Sequence, residues 1–456
     1  MSVRHAKPTG LQPPVVKLSW WKGDFRQFAR HRTRALLETF AQHGDIVAIQ
    51  FPGRTITLVA HPDGVQHILR DNHQNYVKSE AYQRIALVLG QGLITAEGEH
   101  WRRQRHLIQP IFTPRHVQQF ADTMRTHIRA FMATWDTLEE NQPLDIAQEM
   151  MRLTLDIIAD TMFGVDVGDA AATIRAALDE ILAFAHTRMP MAIYPERWIP
   201  TPAGRRFERA VAALDEIVYG IIEQRRRANQ PREDLLGLLM RARYEDDGTF
   251  MDDTMLRDEV MTIFLAGHET TATALTWTWM LLSQHPDVRR RLYAELDEVL
   301  GGRLPTWEDI PKLRYTEAVI KESLRLYPPA WVVGRQAREE DCIMGYHIPA
   351  GGFVITSAYV THRHPAFWDN PEGFDPERWL DETRQPAHRF AYFPFGGGPR
   401  ICIGKHFAMQ EIMLILASLA QHYELNLVPG HPIALWPSVT LRPAHGMLMT
   451  ISKRPR

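Results

Sequence analysis

The spacing of hydrophobic positions along the chain changes period three times, and each change marks a different kind of element. Near the N-terminus, Asp45-Ile46-Val47-Ala48-Ile49-Gln50 and Arg54-Thr55-Ile56-Thr57-Leu58-Val59 are rich in β-branched residues and separated by Pro52-Gly53, a turn signal. They predict a small N-terminal sheet within residues 44–70. From about residue 100 to 330 apolar positions recur at helical spacing, with Pro and Gly kept mainly to junctions such as Pro195, Pro200, Pro202 and Pro286. Residues 330–400 turn strand-like and rich in Pro and Gly, and Gly404 to Gln421 reads as a largely apolar helix. A mainly α fold with a small β region follows. No internal repeat is present, which sets aside solenoids and propellers.

One helical stretch is unusually long and has an odd middle. Residues 258–285, stopped by Pro286, predict a helix of about 42 Å. Inside it, Ala266-Gly267-His268-Glu269-Thr270-Thr271 places a glycine, an acid and two β-branched alcohols among apolar residues. Glycine alone costs about 1 kcal/mol there relative to alanine. A local bend or a close helix contact accounts for this as readily as chemistry does. A zinc protease site is excluded, because His-Glu-x-x-His needs histidine where Ala272 stands.

Composition narrows the class without naming a function. The 456 residues are 45% hydrophobic, with 52 basic against 54 acidic residues, so no global field favours nucleic acid or an anionic membrane. Length alone would suit about three domains, but no linker marks a boundary, and one large domain is the reading adopted. The N-terminal residues carry no signal peptide or membrane anchor, and Ile412–Ala420 is too short to span a bilayer. Two cysteines, Cys342 and Cys402, argue against a disulfide framework and for a reducing compartment; the expectation is a soluble, cytoplasmic protein.

A lone cysteine is more often a small buried hydrophobe than a ligand, and Cys342 is read that way. Cys402 has a different setting, Phe395-Gly396-Gly397-Gly398-Pro399-Arg400-Ile401-Cys402-Ile403-Gly404, after a glycine-rich turn and before a helix. Amide donors and the positive end of a following helix would stabilise a thiolate there. Dinucleotide and phosphate-loop readings of the same glycines fail, the first at Ile401 and the second at His406 after Gly404-Lys405.

The cysteine segment matches F-x-x-G-x-R-x-C-x-G at Phe395, Gly398, Arg400, Cys402 and Gly404, and here the chain resembles the cytochrome P450 family. The long-helix segment is similar to that family's A-G-x-[D/E]-T-[T/S] element. Glu322 and Arg325 match its E-x-x-R element, Pro376-Glu377-Arg378-Trp379 the segment whose arginine completes a charged triad, and Trp101 and Arg105 its W-x-x-x-R element.

The resemblance implies one predominantly helical domain enclosing haem b between the long helix and the cysteine loop, with Cys402 as axial thiolate ligand. It gives Glu269 and Thr270 the delivery of protons to dioxygen, with Ala266 on the same stretch. Trp101, Arg105, Arg335 and Arg400 become partners of the haem propionates. Glu322, Arg325 and Arg378 become structural. The implied reaction is insertion of one atom of O2 into an apolar organic molecule such as a fatty acid or terpenoid, the lining coming from residues 81–94, 189–199, 264–266 and 331–333. Electrons would come from a separate ferredoxin- or flavodoxin-type donor and its reductase, docking on a basic patch of Arg102, Arg103, Lys405 and His406. Three rivals are a peroxide-driven peroxygenase, which typically lacks the acid–alcohol pair, a non-catalytic haem-binding sensor, which would not need it, and a structural helical protein in which Cys402 binds nothing.

Overall fold

A computed structural model describes residues 10–18, 28, 30–51, 53–164, 168–188, 201–228 and 233–454. The aromatic and apolar segment 189–199, expected to contribute to the substrate lining, lies outside the described residues. Helix makes up 59% and strand 14%, which bears out the mainly α reading with a small β region. The chain forms two compact units, one from residues up to 81 with 325–373 and 383–402, the other from 82–324, 374–382 and 403–456.

The first unit is built on a six-stranded mixed sheet in the order Val15–Lys17, Ile46–Phe51, Arg54–Val59, Phe353–Thr356, Val333–Ala337, Tyr76–Lys78. The expected hairpin is present, with Ile49 opposite Ile56 and Gly53 at φ +76° in the turn. The sheet expected over 44–70 stops at Val59, however. Pro62 opens a short helix, Pro62–Gln66, whose first turn is capped by the ring nitrogen of His61 accepting from the Asp63 amide, and the backbone continues as a π turn over His67–Asp71. The strands completing the sheet come from the Pro- and Gly-rich text after residue 330. Val59, Ile68, Tyr76, Val354 and Phe393 bury their side chains beneath it.

Cys342 departs from the expectation of a buried position. It sits in the hairpin Asp341–Ile343 with Tyr346–Ile348, where side chains alternate: Ile343 points inward at 1% exposure and Cys342 outward.

In the second unit the long helix runs from Asp253 to Gln284, five residues earlier than predicted, because the Asp252 carboxylate accepts from the amide of Met255 and caps it. Most of its length is buried, including Trp277 and Trp279. Gly267 has a packing reason: a Cβ there would lie 3.3 Å from Ile158 of the helix Ile146–Phe163, and Thr154 of that helix donates to the carbonyl of His268 at 3.0 Å. Within the stretch read as helical, Gln142–Asp145 is a strand pairing with Leu448–Lys453. It lies at the edge of its three-stranded sheet, where Pro143 is tolerated. Leu435–Pro437 and Leu441–Pro443 form a separate C-terminal hairpin.

Candidate functional site

The cysteine loop is shaped by backbone hydrogen bonds that glycine makes possible. Gly396 and Gly398 adopt φ of +71° and +64°, the left-handed region that side chains disfavour. The Gly396 amide donates to Phe393, the Ile401 amide to Gly398 and the Cys402 amide to the carbonyl of Phe395 at 2.9 Å, turning the chain back on itself. A Cβ on Gly398 would lie 1.8 Å from the carbonyl oxygen of Leu69, so this position admits glycine alone. The turn leaves Cys402 exposed, and Gly404 is the N-cap residue of the helix Lys405–His422.

The loop is anchored from upstream by a residue the sequence did not point to. His362, fully buried, accepts from the Phe393 amide through Nε2 at 2.9 Å and donates through Nδ1 to the carbonyl of Arg325 at 3.2 Å, which fixes one neutral tautomer. Arg325 itself donates to the carbonyls of His362, Pro371 and Gly373 at 2.9, 2.6 and 2.8 Å. The guanidinium thus binds together the chain leading toward the cysteine. Arg335 is 8% exposed and donates to the Gly334 carbonyl at 2.9 Å, while Arg400 is half-buried in the loop.

On the long helix, Ile263, Leu265, Ala266, Gly267 and Thr270 are partly exposed, and the i, i+3, i+7 spacing of Ile263, Ala266 and Thr270 puts those three on one face. Thr270 donates its hydroxyl to the carbonyl of Ala266 at 2.7 Å, which leaves its lone pairs available on that face. Glu269, one residue back, is buried. Its carboxylate accepts from the hydroxyl of Thr440 at 2.5 Å and lies 3.4 Å from Nε of Arg442, so acid and alcohol do not hydrogen-bond each other here. Burial pushes the Glu269 carboxyl above its ordinary range, while the Arg442 charge and the Thr440 hydrogen bond oppose this. His268 donates to the Phe264 carbonyl, and burial lowers its pKa to about 4, so it is neutral at neutral pH.

Glu322 and Arg378, two of the residues read as structural, meet in a buried ion pair. Glu322 accepts from Arg378 at 3.1 Å, from the indole of Trp379 at 2.9 Å and from the Asp375 amide at 3.0 Å, and both charged side chains are fully buried. Arg325 finds the carbonyls described above. Trp101 and Arg105 lie on the helix Gly98–Ile108, with Arg105 buried and donating to Gln109 at 3.3 Å.

Thr440 and Arg442 also escaped the sequence reading. Val439-Thr440-Leu441-Arg442 alternates apolar and polar residues as any half-exposed strand does, so nothing in it pointed to a buried acid 171 positions earlier.

The donor set suits an iron porphyrin. A thiol stands exposed on a turn that glycine alone can make, and Arg400 in the same loop and Arg335 on the strand Val333–Ala337 bring guanidinium groups of the kind that pair with carboxylates.

Comparison with known proteins agrees. The family model for Cytochrome P450 matches residues 13–449. The chain is 37% identical to cyclooctat-9-en-7-ol 5-monooxygenase of Streptomyces melanosporofaciens, over 88% of this chain and 86% of that protein. It is 32% identical to pentalenene oxygenase of Streptomyces avermitilis, over 95% of each. Among solved structures, the cytochrome P450DA heme domain is similar with a TM-score of 0.89, at 27% identity and 98% coverage of both chains. With a family model spanning nearly its whole length and relatives of this identity, the chain belongs to the cytochrome P450 family.

Proposed function

We propose that this cytochrome P450 monooxygenase hydroxylates or epoxidises an apolar cyclic terpenoid, using haem b ligated by the thiolate of Cys402. The observation that carries the reading is the exposed Cys402 on a turn fixed by Gly398, a position where no side chain fits. The relatives named for oxygenating terpenoid skeletons support the substrate class. Bound haem supplies dioxygen binding and, with electron density from the thiolate, cleavage of the O–O bond.

The protein's own groups do the rest. Phe395, Gly398 and Gly404 shape the cysteine turn, and Trp101, Arg105, Arg335 and Arg400 provide the donors that two propionates need. Ala266 keeps the accessible helix face low, and an apolar lining orients the substrate and excludes water. Thr270 offers its Oγ1 as an acceptor on that face, and Glu269 supplies protons to it through water. A peroxygenase or a gas sensor has no use for this pair.

Electrons come from a ferredoxin- or flavodoxin-type protein and its reductase, and the enzyme works in the cytoplasm, where such carriers are available. Among the described residues no helix is long and apolar enough to cross a membrane.

The test is spectroscopic and then chemical. The reduced protein with carbon monoxide shows the red-shifted Soret band of thiolate ligation, and Cys402→His loses it. Cyclic terpene hydrocarbons and alcohols are then screened for a substrate-induced Soret shift, and those that bind are turned over with a heterologous ferredoxin and reductase. An imidazole-type spectrum in the wild type, or turnover by peroxide alone with none from reduced donor, would reject the reading.

A further inference from the structure

The C-terminal hairpin is fastened along one face of the long helix at two points. Thr440 donates to Glu269 at 2.5 Å, and Trp277, eight residues further along the helix, donates its indole N–H to the carbonyl of Leu441 at 2.7 Å. Residues eight apart share a helix face, so the strand Leu441–Pro443 begins alongside it. The next residue in the hairpin, Arg442, reaches the same carboxylate. Its side chain is 25% exposed while that of Glu269 is 4% exposed, so the guanidinium spans from solvent to a buried acid.

A purely mechanical fastening would not need this arrangement. The Trp277–Leu441 bond already secures the hairpin with neutral groups. Burying an acid beneath it adds a desolvation cost that an apolar contact would avoid. Arg442 is the charged group that acts on Glu269. His268, on the same helix, is neutral, and Glu411, on the helix Lys405–His422, sits beside Thr271 with its pKa raised to about 8, so it stays protonated at neutral pH.

We propose that Thr440 and Arg442 are positioning residues for Glu269, the buried Thr440 hydroxyl and the Arg442 guanidinium together holding its carboxylate in place. This rests on the relay role given to Glu269 above. The guanidinium donates no proton and keeps the geometry.

The experiment uses the purified holoprotein. Infrared pH titration follows the C=O stretch of a protonated carboxyl, assigned to Glu269 by its loss in Glu269→Gln. In Arg442→Gln the band persists to higher pH than in wild type, and Arg442→Lys restores the wild-type profile. In parallel, with a heterologous ferredoxin and reductase and no organic substrate, the share of NADPH electrons recovered as hydrogen peroxide is measured. Thr440→Val and Arg442→Gln raise it roughly two- to fivefold. Neither change adds anything in the Glu269→Gln background.

An unmoved carboxyl band in Arg442→Gln, or equal effects of the hairpin variants with and without Glu269, overturns the proposal while leaving the relay intact. A Glu269→Gln variant with a wild-type peroxide share overturns the relay itself and this proposal with it. Thermal melting separates these results from misfolding, and Arg442→Lys retains a charge for the case in which Arg442→Gln is unstable.

Discussion

Arg378 donates from Nε to the carboxylate of Glu322 across 3.1 Å, with both side chains at 0% exposure. Such a pair contributes little net stability when whole, because desolvating both charges offsets their attraction. Removing one partner is another matter. Glu322→Ala strands the Arg378 guanidinium and also deprives the Trp379 indole and the Asp375 amide of their acceptor. The expected loss is about 3 to 5 kcal/mol. Chemical denaturation of the holoprotein checks this, and a loss under about 1 kcal/mol would mean that the pocket rehydrates.

Gly398→Ala combines a left-handed φ of +64° with a Cβ placed 1.8 Å from the Leu69 carbonyl oxygen. Neither backbone belongs to a flexible side chain that can swing away. The loop must shift, and Cys402 lies four residues on. Haem content per protein and the reduced carbon monoxide spectrum are expected to fall, with a melting temperature lower than wild type. Full haem loading with an unchanged spectrum would show that the turn can relax.

How much of this was legible in the sequence depends on whether the signal was local. Gly398 and Cys402 sit four residues apart in a turn closed by local backbone hydrogen bonds, so the loop could be read directly, while its contact with Leu69 and its anchor at His362 could not. Glu322 and Arg378 are 56 positions apart and were paired through motif resemblance; their spacing alone would have suggested a surface charge. In the region 60–70 the β-branched text ends at Val59, and the switch to helix is set by His61 and Pro62, whose capping leaves no mark on the hydrophobic pattern. His362, Thr440 and Arg442 were missed because their meaning lies in partners that only the folded chain brings near.

Glu411 supplies a pH test. It is 1% exposed on the last long helix, and burial raises its pKa from an ordinary 4.5 to about 8, with Thr271 opposing the shift weakly. Between those values the folded protein keeps the proton that the unfolded chain has released. Stability contributed by this group is therefore complete below pH 4.5 and falls as pH rises toward 8, by up to about 1.4 kcal/mol per unit. Glu411→Gln preserves the shape of the neutral acid and cannot ionise. Urea midpoints of the two proteins should diverge with rising pH, the variant becoming relatively more stable. Parallel curves would mean that the carboxylate is solvated by a route not seen here.

The basic patch expected to receive the electron donor divides once its partners are known. Arg103 forms ion pairs with Asp246 and Asp247, and its guanidinium stacks 3.8 Å over the Tyr244 ring, so its charge is offset and its work is to hold the 243–250 loop. His406 has its pKa lowered by burial and by neighbouring Lys405, and adds no charge at neutral pH. Arg102 is exposed, with one exposed partner, Glu99, and Lys405 is exposed. Surface charges of this kind act on association rate and its salt dependence more than on affinity. Arg102→Gln with Lys405→Gln should slow reduction by the donor roughly tenfold at low salt and flatten the salt dependence, with melting unchanged. Arg103→Gln should do the reverse, leaving the salt slope as it was and lowering the melting temperature. Stopped-flow reduction across a salt series distinguishes the two. If Arg103→Gln alone abolished the salt dependence, its acidic partners would have to yield to the donor on docking, and the patch would be centred on Arg103.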